Sequence, residues 1–200
     1  MAPYICVKNT KDFNYDEAYD KAVAKLTFPM FIKPANAGSS YGISKVRNKD
    51  EFVAGLKLAF EHDCKVIVET GIDGFEIGCA VMGNEELTVG EVDEIDTKKD
   101  FFDFDAKYEL TNTQIVCPAR ISEELTAQAK DMAKVIYHAL GCSGLTRVDM
   151  FVTKDERIVF NEVNTIPGFT KASRYPTMMK KAGIDFKTLI NSLITLAMNR

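Results

Sequence analysis

The stretch that decides the fold is Thr146-Arg-Val-Asp-Met-Phe-Val152, followed after a turn-like segment, 153–157, by Ile158-Val-Phe-Asn-Glu-Val-Asn164. Both runs are rich in β-branched and aromatic residues, which predicts two strands paired as a hairpin. Side chains alternate between the two faces of a strand. The predicted shared faces are Arg147, Asp149 and Phe151 on the first strand, and Ile158, Phe160, Glu162 and Asn164 on the second.

This hairpin brings oxygen ligands together. Asp149, Glu162 and Asn164 can converge with Arg147 beside them, although carboxylates on an apolar strand face are costly to bury without compensation. A set of hard oxygen donors without His or Cys suits Mg²⁺, which is usually held by one or two carboxylates and substrate phosphates. The alternative is a salt-bridged hairpin edge, in which Arg147 satisfies Asp149 and Glu162.

Upstream, Phe31-Ile-Lys33 runs into the small-residue loop Pro34-Ala-Asn-Ala-Gly-Ser-Ser-Tyr-Gly42. Small residues let backbone N–H groups and hydroxyls approach phosphate oxygens, and Lys33 at the strand end supplies positive charge. No Gly-Lys-Ser/Thr follows, so the loop is not a Walker A motif. A glycine-rich hairpin with a surface lysine is the alternative interpretation.

Downstream, Asn164-Thr-Ile-Pro-Gly168 forces a turn directly after the predicted ligands. The turn exposes a backbone N–H that could stabilise an oxyanion. Without these neighbours, an ordinary strand-to-helix connection would be the default interpretation.

Composition excludes several classes of protein. The 200-residue chain carries 25 Lys and Arg against 29 Asp and Glu, a net charge of −4. This balance disfavours a general nucleic-acid binder or a binder of anionic membranes. No apolar run approaches the roughly 20 residues of a membrane span, and no signal-peptide pattern is present. The 5 cysteines form no C-x-x-C pair and are predicted to be reduced, mostly buried thiols of a cytoplasmic protein.

The remaining pattern is short strands between a few helices, which indicates an α+β fold with largely antiparallel sheet. Asp50 is predicted to cap one helix, and Ser122 begins another that ends at Gly141. The apolar stripe predicted for that second helix is Leu125, Ala129, Met132, Ala133, Ile136 and Leu140. A last helix is predicted at 186–198, a long loop at 93–105, and a lobe boundary near 72–74. The predicted strands are 4–7, 30–33, 65–69, 76–82, 87–92, 114–117, 146–152 and 157–163.

In this order and at these separations, the clusters resemble the ATP-grasp fold, and within it the D-alanine–D-alanine ligase family, over nearly the whole chain. The resemblance rests on Lys33-Pro-Ala-Asn-Ala-Gly-Ser-Ser-Tyr-Gly42, Ala106-Lys-Tyr108, Arg147-Val-Asp149 and Glu162-Val-Asn-Thr-Ile-Pro-Gly168. It implies a central domain at 1–72 and a C-terminal domain at 73–200 whose antiparallel sheets sandwich the nucleotide.

The resemblance implies a role for each of these residues. Lys33 and Lys107 would contact ATP phosphates beneath a loop carrying Ser39 and Ser40, with Ser39 also serving catalysis. Asp149, Glu162 and Asn164 would ligate two Mg²⁺ ions, which Mn²⁺ could replace. Arg147 and the Gly168 N–H would stabilise a tetrahedral intermediate. The implied adenine and ribose contacts are Phe31, Glu69, Thr70, Gly71, Ile72, Glu76, Phe151 and Phe160.

The family reaction has two steps. The carboxylate of a first D-alanine takes the γ-phosphoryl group of ATP, and the amine of a second D-amino acid then displaces phosphate from the acyl phosphate. The dipeptide is a precursor of peptidoglycan.

The implied second substrate is D-serine, with D-alanine as the alternative. Ser173 and Tyr108 stand at positions that contact substrate in the family. Arg174 occupies a position that is usually Leu in ligases using D-alanine, and Phe102 replaces a typical Tyr. Together with the acid Asp93, these differences resemble the D-alanine–D-serine ligases of glycopeptide (vancomycin) resistance.

Family members are about half again as long and begin with an N-terminal domain. The chain is therefore expected to bind nucleotide and metal but to have little or no ligase activity by itself, and the longer form is expected to be a homodimer. Two alternatives stay open, a non-catalytic ATP–Mg²⁺-binding module and another ATP-grasp carboxylate–amine ligase.

Overall fold

The protein is described here by a computed structural model that covers residues 1–97 and 113–199. These residues fall into two compact units, which divide between Ile72 and Asp73. Unit 1 is Met1–Ile72, and unit 2 is Asp73–Asp96 with the chain from Thr113. That the two units are the central and C-terminal domains of an ATP-grasp fold, at 1–72 and 73–200, stays a prediction. No helix among the described residues is long and apolar enough to cross a membrane.

Unit 1 is a four-stranded antiparallel sheet with two helices on one face. The strand order is β1-β4-β2-β3. The even-numbered positions of β2 and β4 pack with both helices in one hydrophobic core. The elements are β1 (Tyr4–Lys8), α1 (Tyr15–Val23), β2 (Met30–Pro34), β3 (Ser44–Val46), α2 (Lys49–Phe60) and β4 (Lys65–Thr70).

Unit 2 is a five-stranded sheet, in the order β7-β6-β5-β8-β9, with helices on both faces. Strand β5 pairs antiparallel with β6 and β8, and β8 with β9. Helix α3 packs on one face, while α4 and α5 pack on the other. The elements are β5 (Gly74–Gly83), β6 (Leu87–Thr97), β7 (Thr113–Val116), α3 (Glu123–Ala139), β8 (Gly144–Thr153), β9 (Ile158–Asn164), α4 (Arg174–Lys181) and α5 (Phe186–Met198).

The ends of α2 and α3 follow from capping chemistry. Asn48 caps α2 by accepting a hydrogen bond from the Glu51 N–H at 2.9 Å, while its own amide donates to the Glu51 carboxylate at 2.7 Å. This reciprocal pair is similar to a capping box, with the side-chain amide of Asn48 in place of its backbone N–H. The prediction that Asp50 caps α2 is wrong, because Asp50 lies in the first turn, where an acid favours the helix dipole. Ser122 caps α3 as predicted, and Gly141 follows its C-cap with a φ of +63°.

The buried stripe of α3 differs from its prediction at the carboxyl end. Leu140 is exposed, and Tyr137 is fully buried instead. The Tyr137 hydroxyl donates a 2.7 Å hydrogen bond to the carbonyl oxygen of Gly83, which satisfies its polar atom inside the core. The sequence pattern missed Tyr137 because its hydroxyl group is polar. The hydrogen-bond partner that allows it to be buried lies far away in the chain.

Three elements were not predicted, namely α1, β3 and α4. The loop predicted at 93–105 is also wrong in its first part, because β6 continues to Thr97. Acidic residues in that segment do not break the strand, since Asp93 and Glu94 are buried against arginines. The rest of the predicted loop lies outside the described residues. The cysteines are unpaired, but only Cys79 is buried and Cys64 is exposed, so the prediction of mostly buried thiols is only partly right.

The buried carboxylate of Glu94 gives the fold a testable dependence on pH. The backbone N–H and guanidinium of Arg120 donate to it, and these hydrogen bonds lower its pKa. A carboxyl with a lowered folded-state pKa stabilises the fold above its unfolded pKa of about 4.3. That contribution is lost as the pH falls through the folded value. Glu94→Gln should therefore be less stable than the wild type at neutral pH, with a difference that shrinks in acid.

The free energy of unfolding of the wild type and of Glu94→Gln is measured by urea unfolding, from neutral pH to below the unfolded pKa of about 4.3. Arg120→Met removes the guanidinium hydrogen bonds to Glu94 but keeps the backbone N–H donor, so it should show part of the same narrowing of the stability difference in acid. A stability difference between Glu94→Gln and wild type that is constant with pH would contradict the assignment.

Candidate active site

The β8–β9 hairpin brings the predicted ligands together. In the register of the two strands, Asp149 lies opposite Glu162, and Arg147 lies opposite Asn164. Asp149 is 1% exposed, whereas Glu162 is exposed to solvent. The register thus places the two carboxylates and the Asn164 amide in neighbouring pairs of the hairpin, and their convergence on a metal ion stays a prediction.

A bulge changes which face the next residues occupy. The register skips Asn161, so that Met150 is paired with Phe160 instead. An extra residue in one strand reverses the alternation of faces beyond it. Phe160 therefore packs against the α3 core with Met150, and the prediction that Phe160 and Ile158 share a face with Glu162 is wrong.

Gly78 leaves a gap at the centre of the sheet face that carries Asp149. Its register partners are Asp93 on β6 and Asp149 on β8. A Cβ atom at Gly78 would lie 2.4 Å from Nη2 of Arg174, 2.8 Å from Oδ1 of Asp93 and 3.1 Å from Oδ1 of Asp149. A glycine inside a strand often marks the close approach of another group, which here is a guanidinium.

Arg174, the first residue of α4, fills this gap. Its Nε and Nη2 donate to the two carboxylate oxygens of Asp93 at 2.8 and 2.7 Å, and its Nη1 donates to Oε1 of Glu76 at 3.2 Å. Nη2 also lies 3.7 Å from Oδ1 of Asp149. Burial alone would lower the pKa of Arg174, but the hydrogen bonds to Asp93 and the nearby negative charges raise it, so the side chain stays charged.

Arg147 binds Asp149 in the same bidentate manner. Its Nε and Nη2 donate to the two oxygens of Asp149, each at 2.7 Å. The salt-bridged alternative for this hairpin is thus realised between Arg147 and Asp149. Each carboxylate oxygen keeps a second lone pair, so the pairing does not exhaust the acceptor capacity of Asp149.

We refer to Glu76, Asp93, Asp149, Arg147 and Arg174 as the ionic cluster. It contains three carboxylates and two guanidinium groups, and its members are 1–18% exposed at their side chains. Removing one partner from such a buried group typically costs about 3–5 kcal/mol, because it strands an uncompensated charge. Sequence reasoning grouped Arg147 with Asp149 and Arg174 with Asp93, but it missed Gly78 and the network that joins all five residues.

The loop between β9 and α4 is held by short polar contacts. Oδ1 of Asn164 accepts from the Ile166 N–H at 3.2 Å. Oγ of Ser173 accepts from the Thr170 N–H at 3.0 Å and lies 2.9 Å from the Thr170 hydroxyl. Gly168, between them, is exposed. Ser173 therefore stabilises this turn through its contacts with Thr170, at the position where Ser173 is predicted to bind substrate.

In unit 1, three of the predicted nucleotide residues share the sheet face turned away from α1 and α2. Phe31 lies opposite Glu69 in the register of β2 and β4. The Lys33 ammonium is ion-paired with the Glu69 carboxylate. The structure therefore brings these three residues together on one surface.

The small-residue loop after β2 has an unusual backbone. Ser39 and Ser40 have φ values of +56° and +59°, in the left-handed region that side-chain-bearing residues seldom adopt. Such outliers cost of order 1–3 kcal/mol each and cluster at ligand-binding sites. The start of the loop is fixed to the α2–β4 turn, since the backbone and side-chain amides of Asn36 donate to Asp63 at 2.9 and 2.7 Å.

Backbone groups at the end of β4 are already engaged. The Thr70 N–H donates to the Pro3 carbonyl oxygen at 3.0 Å, and the Gly71 N–H donates to the Pro29 carbonyl oxygen at 2.7 Å. An adenine predicted to bind along residues 70–72 would therefore have to form its hydrogen bonds with carbonyl oxygens or with the backbone of Ile72.

Comparison with known proteins places this geometry in a family. The family model described as the D-ala D-ala ligase C-terminus matches residues 1–195. The chain belongs to the D-alanine–D-alanine ligase family.

The relatives include ligases of several bacteria. The vancomycin B-type resistance protein VanB of Enterococcus faecalis is 46% identical over 98% of this chain and 60% of its own length. The crystal structure of the VanG D-Ala:D-Ser ligase from E. faecalis has a TM-score of 0.88 and 52% identity over 98% of this chain and 56% of that one. The ATP complex of the Bacillus anthracis D-alanine–D-alanine ligase has a TM-score of 0.78 and 31% identity over 100% of this chain and 61% of that one.

These relatives show the ATP-grasp fold expected from the sequence, with its α+β composition and antiparallel sheets. The chain spans 50–60% of the length of the curated relatives it matches. Three residues predicted for the site, Phe102, Lys107 and Tyr108, lie outside the described residues.

The donor set of the hairpin would suit the Mg²⁺ that the sequence predicts. No cluster of three or more His, Cys, Asp or Glu side chains suited to a metal occurs in the described part of the chain. Mg²⁺ does not need such a cage, because one or two carboxylates complete its shell together with water and substrate phosphates. Asp149 and Glu162, opposite each other across the hairpin, provide two such carboxylates, and the Asn164 amide oxygen lies one register pair away.

Gly78→Ala tests the gap that holds Arg174. The added methyl group would collide with the guanidinium and with Asp93, and overpacking of this kind costs about 1–3 kcal/mol of unfolding free energy. The cost should be smaller in an Arg174→Lys background, which keeps the charge but removes Nη2. Chemical denaturation of the four proteins in this double-mutant cycle measures the coupling.

Gly38→Ala serves as the control, since a Cβ atom there meets nothing within 4 Å. An equal cost of Gly78→Ala in the wild-type and Arg174→Lys backgrounds would show that Arg174 does not occupy the gap.

Proposed function

We propose that the chain is the nucleotide- and metal-binding portion of an ATP-dependent ligase that joins D-alanine to D-serine through an acyl phosphate. The product would serve peptidoglycan precursor synthesis in glycopeptide resistance. The observation that carries the proposal is Arg174, bound to Asp93 on the face that also holds the predicted metal ligand Asp149. The proposal includes a cytoplasmic enzyme whose longer form is a homodimer.

Unit 1 would hold the nucleotide. Phe31 offers an aromatic surface for the base, and Lys33 offers an ammonium group for a phosphate oxygen. The left-handed backbone at Ser39 and Ser40 would let N–H groups and hydroxyls of the loop face an anion, as in other phosphate-binding loops. The B. anthracis relative is complexed with ATP, which supports this part of the proposal. Phe160 is left out of the nucleotide site, because it packs in the α3 core.

Unit 2 would carry the chemistry of the acyl transfer. In the first step the D-alanine carboxylate attacks the γ-phosphorus, the bond to the β-γ bridging oxygen breaks, and ADP leaves. In the second, the amine of the other amino acid attacks the acyl carbon, loses a proton, and expels inorganic phosphate. Mg²⁺ held by Asp149, Glu162 and Asn164 would offset negative charge on the phosphates. Arg147 and the Gly168 N–H would face the oxyanion of the tetrahedral intermediate.

The donors that Arg174 retains support D-serine over D-alanine as the second substrate. A guanidinium has five N–H groups, and the contacts with Asp93 and Glu76 use three of them. The remaining donors suit a hydroxyl group, which D-serine has and D-alanine lacks. A site built to hydrogen-bond a hydroxyl discriminates strongly against the analogue without it, because its polar groups are then left unpaired. The 52% identity to the VanG D-Ala:D-Ser ligase supports this assignment.

ADP release tests the proposed activity. Mg²⁺–ATP is supplied with D-alanine alone and then with D-alanine plus D-serine, to this chain and to a version joined to the portion that its longer relatives add. The proposal predicts D-serine-stimulated ADP release and D-alanyl-D-serine in the joined version, and little turnover by the 200-residue chain. Binding of ATP without amino-acid-dependent ADP release in either protein would favour the non-catalytic module instead.

A further inference from the structure

The sheet face of unit 1 that is turned away from α1 and α2, which we call the distal face, carries a lysine that the sequence motifs leave without a role. The register of the four strands aligns one row of side chains across this face. The row is Lys45 on β3, Phe31 on β2, Glu69 on β4 and Tyr4 on β1. Lys45 thus lies directly beside two of the residues predicted to meet the nucleotide.

Lys45 is held in place by an aromatic ring. Its Nζ atom lies 5.9 Å from the centroid of the Phe31 ring, within the range of a cation–π contact. The residue is half-buried. Among the described residues, no carboxylate lies within ion-pair distance of its ammonium group, whereas Lys33 is paired with Glu69.

The distal face is basic although the whole chain is acidic. The charged strand residues on it, all within the described part of the chain, are Lys8, Lys33, Lys45, Lys65 and Glu69. The formal charge of the whole chain is −4. A partly desolvated ammonium group without an acid gains most from an anionic ligand, and a local excess of lysines attracts one.

The reach of the side chain points to one part of the ligand. Lys33 lies one row further along β2 than Phe31, a displacement of roughly 6–7 Å for two strand residues. The four-carbon stem of Lys45 is flexible enough to carry its ammonium group from the ring toward that row. The aromatic rings of Phe31 and of the base would then compete with a phosphate for the ammonium group of Lys45. The phosphate binds it more strongly, because the phosphate carries negative charge.

We propose that Lys45 binds the nucleotide phosphate nearest the base, as a second lysine beside Lys33. The inference rests on the proposed function, because it assumes an adenine nucleotide on the distal face. Phe31 orients the ammonium group of Lys45, and arrival of the nucleotide transfers that group from the ring to a phosphate oxygen.

The experiment compares Lys45→Met with Lys57→Met in calorimetric titrations of the 200-residue chain. Lys57 is a matched control, because its ammonium lies 5.7 Å from the Tyr15 ring centroid but on the helical side of the sheet. Adenosine, AMP, ADP and Mg²⁺–ATP are titrated in turn. Losing one charge-assisted hydrogen bond should weaken AMP, ADP and ATP each about tenfold. Adenosine binding should be unchanged, Lys57→Met should match the wild type, and Lys45→Arg should recover most of the affinity.

Different results overturn different statements. If the unaltered chain binds the nucleotides and Lys45→Met binds them equally well, the role of Lys45 is wrong while the proposed function stands. If adenosine weakens as much as AMP, Lys45 supports the base and the phosphate contact is wrong. If the unaltered chain binds no adenine nucleotide, both the inference and the proposed function fail. Circular dichroism of each variant excludes unfolding as the cause.

Discussion

The arrangement of unit 2 depends on two aspartates that are buried on the same sheet face. Asp93 and Asp149 are 0% and 1% exposed, on the two strands that flank β5. Unpaired charges are far too costly to bury, so each needs a cation at hydrogen-bonding distance. Arg174 and Arg147 provide these cations through bidentate contacts. The position of α4 follows, since Arg174 is its first residue, and so does the glycine at position 78 of the central strand.

The same constraint connects three functions that the sequence suggests separately. Arg174 contacts Glu76, which is predicted to bind ribose, and lies near Asp149, which is predicted to bind metal. Its main partner, Asp93, belongs to the proposed serine site. One buried guanidinium thus fixes the spacing of groups expected to meet the nucleotide, the metal and the second amino acid. A change of residue 174 alone would leave Asp93 as an unpaired buried charge, so a substitution that tests the proposed substrate preference also alters the stability of the fold.

How much the sequence could predict depended on the range of the interaction. Local rules were sufficient for the β8–β9 hairpin, the Ser122 cap and the final helix, because each is determined by residues a few positions apart. They failed at Phe160, since the bulge at Asn161 reverses the faces and has no glycine or proline to mark it. They failed again at 93–97, because the acids there are compatible with a strand only when Arg174 and Arg120 are near. Those partners are 81 and 26 residues away from Asp93 and Glu94 in the chain.

If the buried Arg174–Asp93 pair selects the second amino acid, the products of ligation must depend on it. The decisive quantity is the ratio of D-alanyl-D-serine to D-alanyl-D-alanine formed when both amino acids are offered to the version active in ligation. Arg174→Leu is combined with Asp93→Asn, so that the carboxylate of Asp93 is not left as an unpaired buried charge. We expect the unaltered protein to make mainly the serine product. The double variant should shift the ratio at least about tenfold toward alanine, the loss of one good hydrogen bond to the hydroxyl. An unchanged ratio in a folded, active double variant would show that the pair does not select the substrate.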